Sequence, residues 1–284
     1  MLGEQTDNSV SISLLDRAAT LRHVVETGCS VARFGDGEMY FALHGLRWGF
    51  KGINFQKPNR HLTRILNEIL ERSIDRLLVC YNNQFMQEDN YKIVLDYERN
   101  PSKEYSEYLS IKRDKDIGVL RRERQRKIYN RQFETLRKKT FNRLFGDATF
   151  FILCFYFEEY IQNRILEICD LYRKMLDGKN ILIVAPEKPV LGVSFRQLCE
   201  QGIIRSPERV EFISIPEKNC FEYYEQLLLR IESCRWADTV LVQAGPTATV
   251  LAEKLTSSHG ITTYDVGTWN VSLQKAAQIH GITF

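Results

Sequence analysis

The sequence lacks any apolar run long enough to cross a bilayer. Its longest strongly apolar stretch, "FFILCFYF" at 150–157, falls far short of the roughly 20 residues a spanning helix needs. The opening "MLGEQTDNSVSIS" lacks the basic and apolar regions of a secretory signal. Paired short cysteine spacings are missing as well. The seven cysteines, at 29, 80, 154, 169, 199, 220 and 234, are odd in number and read as reduced, mostly buried thiols. A cytoplasmic address is therefore expected. Histidine is scarce, and the five that occur have no zinc-site spacing. There is no repeat, low-complexity tract or Gly/Ser-rich linker, so one domain over 1–284 is expected. The two common phosphate fingerprints are absent: no Gly-Lys-Ser/Thr loop and no Gly-x-Gly-x-x-Gly. An excess of one charge is nearly absent too, and a net +3 is too small to argue for nucleic acid.

What remains is the composition of an ordinary globular protein, 44% hydrophobic and 26% charged. Charge is nevertheless uneven. Residues 112–143 hold thirteen Lys or Arg against four acids. That density suits phosphate, an anionic membrane face or an acidic acceptor, and equally a solvated helix face with i,i+4 pairs. An apolar helix face is compatible with a homo-oligomer, which sequence does not distinguish from a core.

Periodicity predicts a helix over 11–27, where Leu14, Leu15, Ala18, Leu21, Val24 and Val25 recur at helical spacing before Gly28. "CSVARF" at 29–34 reads as a strand, 59–75 as a helix and "RLLVCY" at 76–81 as a strand. Residues 90–145, polar, basic and rich in tyrosine, read as a helical insertion. A helix over 156–176 then begins a regular alternation. Strands are expected at 180–186, 210–216, 239–245 and 261–267, with helices at 192–202, 221–234, 246–255 and 271–279. Short apolar strands alternating with helices predict an α/β fold with a mainly parallel, Rossmann-like sheet covered on both faces.

Such sheets bind ligands beyond the carboxyl ends of their strands, and polar clusters fall at four of these ends. The first is Gly35-Asp36-Gly37-Glu38. Its carboxylates either sit in a plain turn or, aimed together by the glycines, hold a hard divalent cation such as Mn²⁺ or Mg²⁺. Arg33 just before them either holds a phosphate or pairs with a nearby acid. The second is "QAGPTATVLAEKL", where Gly245 permits close backbone approach, Pro246 opens a helix, and Thr247 and Thr249 add hydroxyls. It suits a diphosphate, or is simply a capped helix. The third is "IPEKNCFEYY". Lys218 could meet a phosphate, and Asn219 could cap the helix or bond a base or sugar. The fourth is Asp265 in "YDVGTWN", either a ligand-facing acid or the partner of a helix terminus. Read as residues alone, these clusters fit a metal-dependent nucleotide-sugar transferase or a phosphohydrolase.

"RFGDGE", "IPEKNCFEYY", "AGPTATVLAEKL" and "YDVG", in that order, resemble the GT-D type glycosyltransferases. The resemblance covers the first acid cluster and nearly all of 165–270, with only a loose match over 85–160. It implies transfer of a sugar, typically glucose or a related hexose, from a UDP-sugar donor. The Asp-x-Glu motif that binds the metal in the family falls on Asp36 and Glu38. The expected nucleotide-sugar set is then Arg33, Gly35, Lys218, Asn219, Gly245, Pro246, Thr247 and Thr249, with Glu38 or Asp265 as candidate bases. The implied acceptor is a glycan on a glycoprotein or on a lipid-linked cell-surface precursor, which the basic segment 112–143 would guide, with peripheral membrane contact. Where the family has His after its last strand, this chain has Thr268. A non-catalytic nucleic-acid role through the basic segment is the remaining alternative, and no RNA-binding or zinc-finger motif accompanies it.

Overall fold

The computed structural model describes residues 12–46, 48, 51–53, 55–81, 143–148, 165–189 and 192–284. The expected insertion at 90–145 lies outside the described residues up to position 142, and with it all but the last residue of the basic segment.

Among the described residues, eight strands form one sheet: β1 (Ile12–Leu14), β2 (Ser30–Phe34), β3 (Leu77–Tyr81), β4 (Arg143–Asp147), β5 (Asn180–Ala185), β6 (Arg209–Ser214), β7 (Thr239–Val242) and β8 (Thr262–Asp265). Their order is β1-β4-β3-β2-β8-β7-β5-β6, and the ladders that join them are parallel. The described helices are α1 (Arg17–Thr27), α2 (Asp36–His44), α3 (Arg60–Glu71), α4 (Ile165–Leu176), α5 (Phe195–Glu200), α6 (Tyr224–Ser233), α7 (Pro246–His259) and α8 (Trp269–His280). A 3₁₀ turn over Cys220–Tyr223 leads into α6.

The central strands β3, β5 and β7 are nearly all apolar because both faces are covered, whereas edge strand β6 exposes Arg209, Glu211 and Ser214. Ala32, Phe34, Val79, Leu182, Val184, Val240 and Val242 pack with residues of α2, α3, α6 and α7. The alternate positions Val31, Leu78, Ile181, Ile183, Leu241 and Tyr264 pack with α1, α4, α5 and α8. At about 1.5–3 kcal/mol for each large aliphatic side chain taken from water, these two layers dominate the fold's stability. The expected α/β architecture with helices on both faces is what the structure shows.

Three local expectations are corrected. The helix expected over 11–27 starts only at Arg17, because Asp16 caps it by accepting from the Ala19 N–H at 2.7 Å. Ile12–Leu14 instead pair with Arg143–Phe145 as an edge strand. β4 itself falls at the end of the stretch expected to be helical. Finally, Asp36-Gly37-Glu38 is not a tight turn. Gly35 is the N-cap and Asp36 the first residue of α2, with the Met39 N–H bonded to Gly35 O at 3.1 Å. Positions two apart on a helix do not face each other, so it is the helix start, not a turn, that places both acids at the end of β2.

Candidate functional site

Because the strands run parallel, β2 and β7 deliver α2 and α7 to the same rim, and each helix presents its N-terminus there. The unpaired first-turn amides and the positive end of the helix dipole favour negative charge at both places. At α7 the chain turns through Gly245 at φ 54°, a conformation that costs a side-chain-bearing residue about 1–2 kcal/mol. Pro246 has no N–H and the Ala248 N–H returns to Gly245 O at 2.8 Å. The amides of Gly245 and Thr247 are therefore the ones this turn can offer to an anion. The two threonine hydroxyls, expected to face a ligand, are both buried. Thr247 lies beside the thiol of Cys220, whose burial pushes its pKa up to about 11 despite that hydroxyl. Thr249 is spent on the protein, as described next.

Arg33, Asp265 and Thr249 form one buried knot across the ends of β2, β8 and the first turns of α7. The Arg33 N–H donates to Asp265 Oδ2 at 3.3 Å, and the Thr249 hydroxyl lies 2.9 Å from Arg33 O and 3.0 Å from Asp265 Oδ2. The guanidinium of Arg33 donates through Nε to Ala148 O at 2.6 Å and brings Nη1 to 3.9 Å from Asp265 Oδ1. Of the two readings open for Arg33, pairing with an acid is the one realised. Asp265 is only 4% exposed and joins strand ends to the first turns of a helix.

Burial pushes the Asp265 carboxyl up to about 6, against the lowering by Arg33, the Thr249 hydroxyl and the backbone of Arg33 and Gly267. A folded-state value above the ordinary 3.8 means the protonated acid is the form burial favours. Its stabilising contribution is complete below about pH 4 and is lost as pH rises through about 6. Relative to Asp265→Asn, the wild type should therefore lose stability between pH 4 and 6 and then level off. Urea denaturation of both proteins across that range checks this, and a constant difference would refute it.

The third cluster acts through a loop that the motif reading did not single out, the one carrying Ile53, Phe55, Gln56 and Lys57. An antiparallel bridge joins Ile53 to Gln56. Asn219, in the left-handed region at φ 57°, donates its N–H to Phe55 O at 2.7 Å and accepts the Lys57 N–H on Oδ1 at 2.8 Å. Gln56, 2% exposed, accepts the Phe221 N–H at 3.3 Å. Asn219 thus neither caps the following helix with its side chain nor stands free for a base; it pins this loop. Lys218 beside it is exposed. The loop's apolar side chains reach the two helix starts. A Cβ placed on Gly37 would lie 2.9 Å from Ile53 Cδ1 and 3.9 Å from Phe55 Cε2, and one on Gly245 would lie 3.7 Å from Phe55 Cδ2. One aromatic ring therefore spans the N-termini of α2 and α7. The only sequence trace of this loop is an aromatic residue in a polar stretch bracketed by Gly52 and Pro58.

The residues at α2 fit a hard divalent cation. A Cβ on Gly35 would stand 3.1 Å from Glu38 Oε2, so this carboxylate folds back over the N-cap through space that a side chain there would crowd. Asp36 is placed by its backbone at the first helical position; its side chain lies outside what is described. Among the described residues no group of three or more His, Cys, Asp or Glu converges as a closed metal cage. Carboxylates at one helix start, leaving other positions to water and phosphate, are the donor set Mg²⁺ or Mn²⁺ accepts.

Comparison with known proteins agrees with this architecture. The family model described as "Glycosyltransferase GT-D fold" matches residues 119–274, more than half of the chain. A Streptococcus gordonii protein named "Probable glycosyl transferase Gly" is 23% identical over 269 residues. That alignment takes in 94% of this chain and 33% of the relative, so the chain spans about a third of that protein's length. A solved structure described as a domain of unknown function 1792 with a distinct glycosyltransferase fold superposes with TM-score 0.67 at 21% identity, covering 96% of this chain and 83% of that one. A Streptococcus sanguinis structure, described as a new glycosyltransferase, does so with TM-score 0.67 at 20% identity, covering 96% and 87%. At these identities the superpositions speak for the fold.

Proposed function

The chain belongs to the glycosyltransferase GT-D fold family, and from that premise we propose that it moves a hexose from a UDP-sugar donor to a glycan acceptor with Mn²⁺ or Mg²⁺ bound at Asp36 and Glu38. The observation that carries this reading is the convergence of the acid-bearing start of α2 and the Gly245 turn of α7 beside one edge of Phe55. An anion-binding helix start beside an acid-bearing one suits a diphosphate with its cation.

In the reaction, the bond between the sugar's anomeric carbon and the diphosphate oxygen breaks, one to the acceptor oxygen forms, and the acceptor hydroxyl gives up its proton, for which Glu38 is the remaining candidate base. When bound, the cation neutralises charge growing on the departing diphosphate. The amides of Gly245 and Thr247 orient that diphosphate and stabilise it, and exposed Lys218 supplies a positive charge at the rim. Asp265, buried with Oδ2 engaged by the Thr249 hydroxyl and the Arg33 N–H, acts as a positioning residue and not as the acceptor's base. It holds the ends of β2 and β8, and through Thr249 the start of α7, in register. The acceptor as a glycoprotein or lipid-linked glycan, guidance by the basic segment 112–143 at a membrane face and a cytoplasmic location belong to the same proposal. They rest on sequence pattern and family resemblance.

The test is UDP release from a panel of UDP-hexoses, with Mn²⁺ and with EDTA, in the presence and absence of a mixed glycan acceptor. Release that needs metal and rises with acceptor is the expected result. Metal-dependent release indifferent to acceptor would replace this reading with hydrolysis of nucleotide diphosphates.

A further inference from the structure

Phe55 is 43% exposed although the loop that carries it is tightly held. Its loop is pinned by the Asn219–Phe55 and Lys57–Asn219 hydrogen bonds and by buried Gln56. The ring's Cδ2 and Cε2 atoms form a single edge, and that edge faces both glycines: a Cβ on Gly245 would lie 3.7 Å from Cδ2 and one on Gly37 would lie 3.9 Å from Cε2. The exposed remainder of the ring therefore stands beside the starts of α2 and α7. A glycine at each of those two positions lets the backbone, and any group it binds, come close to the ring.

We propose that Phe55 is the platform for the donor's sugar, stacking on the C–H face of the hexose and helping to select it. This inference rests on the nucleotide-sugar reading above and adds to it the residue that recognises the transferred group. Reach decides between the two ends of the donor. The hexose carbon nearest the diphosphate is one oxygen away from phosphorus, whereas the nucleobase is separated from it by an entire ribose. A ring whose edge lies beside both helix starts is thus within reach of the hexose and short of the base. Its chemistry agrees: phenylalanine offers no hydrogen-bonding atom to read a base edge, while its negatively polarised face attracts the C–H groups of a sugar ring.

The experiment measures dissociation constants of UDP and of UDP-glucose, UDP-galactose and UDP-N-acetylglucosamine, with Mn²⁺, for wild type, Phe55→Ala and Phe55→Tyr. The expected result is that Phe55→Ala weakens the preferred UDP-hexose about three- to tenfold, the range of an aromatic contact, leaves UDP within twofold, and is rescued by Phe55→Tyr. Equal weakening of UDP and UDP-hexose would assign the ring to the nucleoside or to shaping the site, and would overturn the proposal while sparing the proposed function. Unchanged binding of both would overturn it likewise. Failure of the wild type to bind any of the four would overturn the nucleotide-sugar reading itself, and this inference with it. Because the ring is partly exposed, Phe55→Ala should melt within a few degrees of wild type, and a larger drop would mark the residue as structural.

Discussion

Glu38→Ala and Asp36→Ala should each lower metal-dependent UDP release by about 100- to 1000-fold, the range for losing one preorganised electrostatic contribution to the transition state. The two acids act on one cation, so the double variant should be little worse than either single one. Folding should survive. Each acid sits in the first turn of a helix, where its interaction with the dipole is worth about 0.3–1 kcal/mol. A second readout separates metal loss from other damage: Mn²⁺ affinity, measured by calorimetry or electron paramagnetic resonance in the presence of UDP, should fall in both variants. Turnover within threefold of wild type with unchanged Mn²⁺ affinity would show that Gly35-Asp36-Gly37-Glu38 is only the start of a helix.

Gly267→Ala should destabilise the protein by about 3–5 kcal/mol, the cost of breaking a buried ion pair from one side. Two causes act together there. Gly267 has φ 49°, and a Cβ would stand 1.8 Å from Arg33 Nη1. Nη1 is the end of a long side chain, but this one cannot simply swing away. Moving it strips Ala148 O of its hydrogen bond and leaves the buried carboxyl of Asp265 without its guanidinium. Gly28 separates the two causes. It also has positive φ, 63°, but a Cβ there would meet no atom within 4 Å, so Gly28→Ala should cost only the backbone contribution of about 1–2 kcal/mol. Urea denaturation of both variants checks the pair, and equal costs at the two positions would show that Arg33 is not held as described.

Much of this architecture is legible without coordinates. Runs such as "NILIVA" and "TVLV" read as strands because a doubly covered sheet needs side chains that are apolar on both faces, a pattern visible in any short window. The helices expected over 59–75 and 192–202 begin in the structure after Asn59 and Ser194, each of which accepts from an amide three residues on. Two strands are less legible. "ISL" is too short to outweigh the helical spacing that continues beyond it, and "RLFGD" follows a long basic stretch. Both belong to the sheet because they pair with each other and, through β4, with β3. Pairing between residues more than a hundred positions apart leaves no local pattern.

The site divides in the same way. Sequence by itself determined that acids and glycines stand at the end of β2, that a glycine and a proline open the helix after β7, and that an acid ends β8. These follow from local chemistry: turns need glycine, helix starts accept proline, and parallel strands end at the ligand rim. Only the tertiary structure decided how those groups are spent. It turned Arg33, Thr249 and Asp265 inward to one another, because a carboxylate and a guanidinium at adjacent strand ends are cheaper paired than separately buried. It also used Asn219 to fasten a loop from a distant part of the chain, and so set Phe55 beside two helix starts. Whether a polar side chain meets a ligand or a neighbour depends on what the fold brings within about 3 Å of it, and that distance is not written in the order of residues.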